Sequence, residues 1–257
     1  MPWMALWMTT LAGLSTGLGG LLAVLLPPTE KVLAAGAGLA GGVMLTISFA
    51  DLVPEAVSLY TEVYAPWVAG AGVVLQLALG TAAAFLLSRA LPEESALAAR
   101  FGNGAAGSAM LRAGLVTGVA LLLHNLPEGM LTLLAGVTDP RLGLRTALAV
   151  ALHNLPEGMA VAMPFACATR SRGKGVLAAL VSGLAEPLGA VLALPLLSRG
   201  GHAAALHGVM LGAAGIMLGV TAGQLLPQAF APRTGKAGAI GFIFGCFLML
   251  FGVAAME

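Results

Sequence analysis

His124-Asn125-Leu126-Pro127-Glu128-Gly129-Met130 recurs 29 residues on as His153-Asn154-Leu155-Pro156-Glu157-Gly158-Met159. Seven identical residues, among them His, Asn, Pro and Glu, mark a duplication. Each copy lies in a long apolar run, roughly 109–136 and 143–168, and an α-helix crosses a bilayer with about 20 mostly apolar residues. The runs are continuous and rich in Ala, Leu and Gly, unlike the alternating ten-residue segments of a membrane β-barrel. Two polar motifs therefore ride on two consecutive membrane helices.

The rest of the 257-residue chain agrees. Hydrophobic residues make up 59% and charged residues 9%, where about 25% charged is ordinary for soluble domains. So few charges cannot cover the surface of a soluble fold of this size, which excludes a cytosolic or secreted protein. The net charge of +1 leaves no basic patch for nucleic acid. Cys167 and Cys246 both fall in apolar runs and form neither a disulfide framework nor a Cys-rich metal site. The N-terminal run from about Trp3 to Leu26 lacks a basic leader and reads as a span, not a signal peptide.

Breaking the chain at polar and Pro-rich points predicts an all-α protein with eight spans, roughly 3–26, 32–58, 66–90, 109–136, 143–168, 175–198, 204–230 and 236–256. The connector 91–108, with Glu93, Glu94, Arg100 and Gly102-Asn103-Gly104, is expected to be flexible. Lys31, Arg89, Arg100, Arg112, Arg170, Arg172, Lys174, Arg233 and Lys236 then share one side; Arg141, Arg145 and Arg199 share the other. The positive-inside rule puts the larger set in the cytoplasm and both termini outside.

A second repeat links distant parts of the chain. Gly42-Val43-Met44-Leu45 and Asp51-Leu52-Val53-Pro54-Glu55-Ala56 in span 2 match Gly215-Ile216-Met217-Leu218 and Gln224-Leu225-Leu226-Pro227-Gln228-Ala229 in span 7. Gly13, Leu14, Leu18 and Gly19 echo Gly183, Leu184, Leu188 and Gly189. Spans 2 and 7 run in opposite directions, the mark of an inverted repeat with its substrate site at the repeat interface. The expected layout is a single transmembrane domain. Residues 1–90 form one three-helix repeat and 91–108 a cytoplasmic loop; 109–168 form a central helix pair and 175–257 the second three-helix repeat.

The acids carry the chemistry. An ionised residue near the bilayer centre costs about 2.5–3.5 kcal/mol on insertion scales, yet Glu128, Glu157, Glu186 and Asp51 lie within spans. No lysine or arginine lies at comparable depth, so the acids are either protonated or compensated by a mobile cation. In a helix, residues i and i+4 share a face, which pairs His124 with Glu128 and His153 with Glu157, the asparagines Asn125 and Asn154 standing beside them. Pro127 and Pro156 free the carbonyls of Leu123 and Leu152. Imidazole with carboxylate suits Zn²⁺, Fe²⁺, Mn²⁺ or Co²⁺. Met44 is read either as packing or as a ligand, Asp51 as an entrance or an interfacial residue, and His202 and His207 as ordinary surface residues. An intramembrane metal-dependent hydrolase and a proton-coupled solute carrier are the alternatives, the first weakened by the lack of a His-Glu-x-x-His element.

At the paired His-Asn-Leu-Pro-Glu-Gly elements, Ala147–Asn154 and Ser182-Gly183-Leu184-Ala185-Glu186, the sequence resembles the ZIP (Zrt/Irt-like) family of divalent metal transporters, and looks closest to the bacterial ZupT type. The resemblance covers nearly the whole chain. It implies a transporter, not an enzyme, that imports zinc and further divalent metals (iron, manganese, cobalt, cadmium) across the cell (inner) membrane by alternating access, often as a homodimer. It implies a binuclear centre: one site on His124, Glu128, His153 and Glu157 with Met44 nearby, the other on Asn125, Asn154 and Glu186, with Glu128 and Glu157 bridging. This chain departs from the family in three places. The 91–108 connector has no His-rich stretch, Asn154 stands where some members have an acid, and so does Gln224 in span 7.

Overall fold

The computed structural model describes residues 2–101, 104–197 and 203–255. His202 and Arg199 lie outside them, as does the side chain of His207. The described residues are helices joined by short turns, with no strand. The helices are α1 (Pro2–Leu25), α2 (Glu30–Ile47), α3 (Val53–Thr61), α4 (Pro66–Ala90), α5 (Glu94–Phe101), α6 (Gly104–Thr138), α7 (Pro140–Thr169), α8 (Arg172–Gly183), α9 (Ala185–Leu197), α10 (Ala203–Val220), α11 (Leu226–Ala229) and α12 (Ala237–Ala254).

Polar residues start the helices where the apolar runs begin. The Thr29 hydroxyl accepts from the Val32 amide at 3.2 Å, and the Asp139 carboxylate from the Arg141 amide at 2.8 Å. Each satisfies a donor that the first helical turn leaves open. Pro66 and Pro140 open α4 and α7, where a missing N–H costs nothing.

Two wide turns interrupt the helical runs at matching places. Ser48–Leu52 joins α2 to α3 and Thr221–Leu225 joins α10 to α11, both as π-helix. Val53 donates to the Ser48 carbonyl and Leu226 to the Thr221 carbonyl, five residues back in each case. The cause follows each turn by two residues: Pro54 and Pro227 cannot donate to, and would clash with, the carbonyl four residues earlier. Pro187 acts in the same way on the Gly183 carbonyl, and the chain turns at Leu184 between α8 and α9. That break sets Glu186 in the first turn of α9.

Among the described residues, seven stretches are long and apolar enough to cross a membrane: α1, α2–α3, α4, α6, α8–α9, α10–α11 and α12. The 30-residue α7 is as long but more polar. It packs against α1, α6, α8, α2 and α12, so its polar motif is screened by other helices. The 91–108 connector departs from expectation. It contains α5, and α6 already begins at Gly104; Leu97 is buried against Leu111 and Ala168. One buried leucine in the octapeptide Glu94–Phe101 leaves no periodic pattern to read.

The helices approach closely through glycines, which lets backbones meet where no apolar driving force separates helix from lipid. In the group formed by α1, α6, α7, α8 and α9, a Cβ on Gly19 would strike the Leu155 carbonyl, and one on Gly189 the Leu126 carbonyl. One on Gly158 would strike the Thr16 carbonyl, and one on Gly129 the Glu186 carbonyl. Gly13 and Gly183 block each other's carbonyls reciprocally. Outside this group α2 packs on α12, and α4 on α10. Gly245 meets the Leu39 carbonyl as Gly80 meets the Gly212 carbonyl.

Candidate metal centre

The centre lies where the two heptapeptides of α6 and α7 face each other. His124 and Glu128 are one turn apart on α6, and His124 Nε2 stands 3.0 Å from Glu128 Oε1. From α7, His153 Nε2 reaches the same oxygen at 2.8 Å. Two imidazoles thus converge on one carboxylate oxygen. One ligand atom from each of His124, Glu128 and His153 lies within 4.8 Å of the others. The two histidines are at most 1% exposed and Glu128 3%.

The motifs are identical in sequence but not in the partners their side chains find. His153 pairs across to Glu128, and Glu157, one turn further along α7, stays within electrostatic reach of both imidazoles without hydrogen bonding to either. Glu157 is fully buried, and neither of its carboxylate oxygens has a hydrogen-bond partner. Glu128 Oε2 and Glu186 Oε2 are also without one. An ion in so dry a place costs several kcal/mol even after relaxation. Among the described residues no lysine or arginine is buried, so only the imidazoles of His124 and His153 stand near enough to offset that cost at this depth.

The asparagines are anchored by their amide nitrogens. Asn125 Nδ2 donates to the Ser182 carbonyl at 3.1 Å, and Asn154 Nδ2 to the Ala12 carbonyl at 3.0 Å. Asn154 Nδ2 also donates to Glu186 Oε1. Both amide oxygens are buried with no partner. Each asparagine is thus anchored at its donor end and leaves its acceptor end open. The structure therefore joins Asn154 to Glu186, while Asn125 is tied to α8 rather than to an acid.

Met44 is fully buried on α2, among Leu121 of α6 and Val161 of α7. It packs beside the turns that carry the motifs, and its sulfur accepts from the Thr221 hydroxyl at 3.5 Å. Asp51 sits half-buried in the first π-turn, within electrostatic reach of His153. Gln224 occupies the matching place in the second π-turn. Sequence reasoning missed Thr16, whose hydroxyl is buried without a partner. Its signal was available only through the repeat, since a threonine in a membrane helix ordinarily bonds its own backbone, as Thr9 does to the Ala5 carbonyl.

Fold and centre together define a multi-pass helical membrane protein with buried acids beside two imidazoles. The family model of the ZIP zinc transporters matches residues 90–256. The zinc transporter ZupT of Chlorobium limicola is 34% identical over 252 residues, 95% of each chain. Those of Corynebacterium efficiens and Corynebacterium glutamicum are 38% and 36% identical over 141 and 140 residues. These two matches cover 52% of this chain and 53% of each relative, so the chain spans about half their length. The chain belongs to the ZIP zinc transporter family.

Proposed function

We propose that this protein imports zinc, and with it iron, manganese, cobalt and cadmium, by alternating access through the His/Glu/Asn centre. The observation that carries the reading is the set of buried acids with open oxygens and, among the described residues, no buried lysine or arginine. A resident lysine or arginine would make a structural ion pair; without one, the compensation falls to the two imidazoles and a travelling ion. Imidazole nitrogen and carboxylate oxygen are ligands that transition metals share, so the set favours a group of metals over one.

In this reading His124, Glu128, His153 and Glu157 bind one ion with Met44 at the side. Asn125, Asn154 and Glu186 face a second, and Asp51 lines the entrance. The relatives named zinc transporters support the cargo. The protein sits in the cell (inner) membrane with both termini outside, as the Lys and Arg distribution favours. Trp3, Trp67 and Tyr64, exposed at the start of α1 and around the turn from α3 to α4, fit an aromatic belt at a membrane interface.

We count α7 as the eighth span. Its 30 residues reach about 45 Å at 1.5 Å each, enough for a hydrocarbon core of about 30 Å. The inverted repeat is supported by coincidences that sequence did not use. The two π-turns, 48–52 and 221–225, fall at the same offset as the repeated Gly-Val-Met-Leu and Gly-Ile-Met-Leu stretches. The α2–α12 and α4–α10 glycine contacts correspond as the repeat requires. The central pair belongs to residues 109–168, with the repeats at 1–90 and 175–257.

Purified protein in sealed liposomes tests the reading. Radiolabelled zinc is expected to accumulate inside, with no product formed from any added ester or peptide. Protons compete with metal for imidazole and carboxylate, so uptake is expected to fall as the outer pH is lowered. Liposomes that take up no more zinc than empty ones, at any pH, contradict the proposal.

A further inference from the structure

The same two-fold relation that pairs the glycines assigns each half of the centre a counterpart. Asn154 donates to the Ala12 carbonyl, and Asn125 to the Ser182 carbonyl. Gly158 touches the Thr16 backbone, and Gly129 the Glu186 backbone. A Cβ on Gly13 would stand 3.3 Å from Glu186 Cβ, and one on Gly183 2.8 Å from Thr16 Cβ. The first correspondence carries Ser182 onto Ala12, and the other two carry Glu186 onto Thr16. Where α9 presents a carboxylate to Asn154, α1 presents a hydroxyl on the side of Asn125.

We propose that Thr16 Oγ1 and Asn125 Oδ1 form a neutral, oxygen-only half-site for a divalent cation, the twin of the Asn154–Glu186 pair. Thr16 and Asn125 are fully buried, and both of these oxygens lack a hydrogen-bond partner. The adjacent Ser182, 1% exposed, leaves its hydroxyl unpartnered too. Buried polar atoms are nearly always satisfied, so this group of open oxygens at the symmetry mate of an acid marks a place for a ligand. Thr16 Oγ1 would lie 2.9 Å from a Cβ on Gly183; the glycine keeps the space beside the hydroxyl open. Neutral oxygens hold a divalent ion less tightly than a carboxylate does, which suits an ion in passage. A fourth carboxylate here would deepen the trap.

The inference rests on the metal-centre reading above, and cadmium titration of the purified full chain separates the two. Thr16→Cys is nearly isosteric and adds a soft ligand, for which thiolate sulfur is well matched. It is expected to bind cadmium about tenfold more tightly than wild type and to show an ultraviolet thiolate-to-cadmium charge-transfer band. Thr10→Cys, half-buried on the same helix with its native hydroxyl bonded to the Leu6 carbonyl, is expected to show neither. Thr16→Val removes only the hydroxyl and is the second arm; zinc affinity is expected to fall several-fold in folded protein. A bandless Thr16→Cys in a background where wild type binds cadmium, or unchanged zinc affinity in Thr16→Val, overturns the half-site and leaves the main centre standing. Wild-type protein that binds neither metal overturns both.

Discussion

Glu128→Ala is expected to abolish zinc uptake and to weaken zinc binding by more than about 100-fold. Loss of a residue that merely supports a ligand costs about 10–100-fold, and Glu128 does more than support. Its Oε1 is the one atom that both His124 and His153 approach. Removing it leaves two imbalances. The imidazoles lose their shared anion, and the pocket loses a charge that the incoming ion would neutralise. Glu128→Gln keeps shape and volume, so it separates charge from packing: folded protein with severely reduced uptake is the expected outcome. Uptake at wild-type rate by folded Glu128→Ala would remove the acid from the pathway.

The second large effect is structural. Gly129→Ala is expected to cost stability at or beyond the upper end of the roughly 1–3 kcal/mol typical of overpacking. A Cβ there would lie 2.7 Å from Glu186 Cα as well as striking the Glu186 carbonyl. The obstacle is backbone on another helix, which cannot swing aside as a flexible side chain would. Gly158→Ala meets the Thr16 backbone in the same way, its Cβ 2.8 Å from the carbonyl carbon. Gly70→Ala, with nothing within 4 Å, is the control. Thermal unfolding in detergent should place Gly129→Ala and Gly158→Ala well below wild type and Gly70→Ala beside it. Three coincident curves would mean that α6 and α9, and α7 and α1, are not in backbone contact. The glycine of each His-Asn-Leu-Pro-Glu-Gly element thus positions the acid site. It brings α9, which carries Glu186, and α1, which carries Thr16, against the motif.

These contacts show what sequence reveals and what it hides. Hydrophobic runs place the membrane helices to within a few residues at most ends: the run 66–90 coincides with Pro66–Ala90, whereas 109–136 falls inside Gly104–Thr138. The i, i+4 spacing gave the His124–Glu128 pair. It could not show that His153 turns to Glu128 and leaves Glu157 alone, because identical motifs carry no information about which copy yields to the other. The π-turns were hidden for a related reason. Pro54 and Pro227 announce a disturbed helix, but a proline can kink, widen or break one. Pro127 and Pro156 lie within unbroken helices, whereas Pro187 follows a turn. Helix α5 was invisible because only Leu97 is buried in it. Thr16 was overlooked because a lone hydroxyl on a membrane helix ordinarily bonds a carbonyl one turn back. The repeat that sets Gly13 against Gly183 also sets Thr16 against Glu186, and the structure shows the Thr16 hydroxyl buried with no partner.

The central claim is that imidazoles and acids buried with no buried lysine or arginine among the described residues hold a metal ion. X-ray absorption at the zinc edge, on purified zinc-loaded protein, addresses it without relying on transport. The account predicts nitrogen and oxygen ligands at about 2.0–2.2 Å, with an imidazole scattering signature that disappears in His124→Ala/His153→Ala. Zinc bound with no imidazole contribution, or a spectrum that the double substitution leaves unchanged, contradicts it.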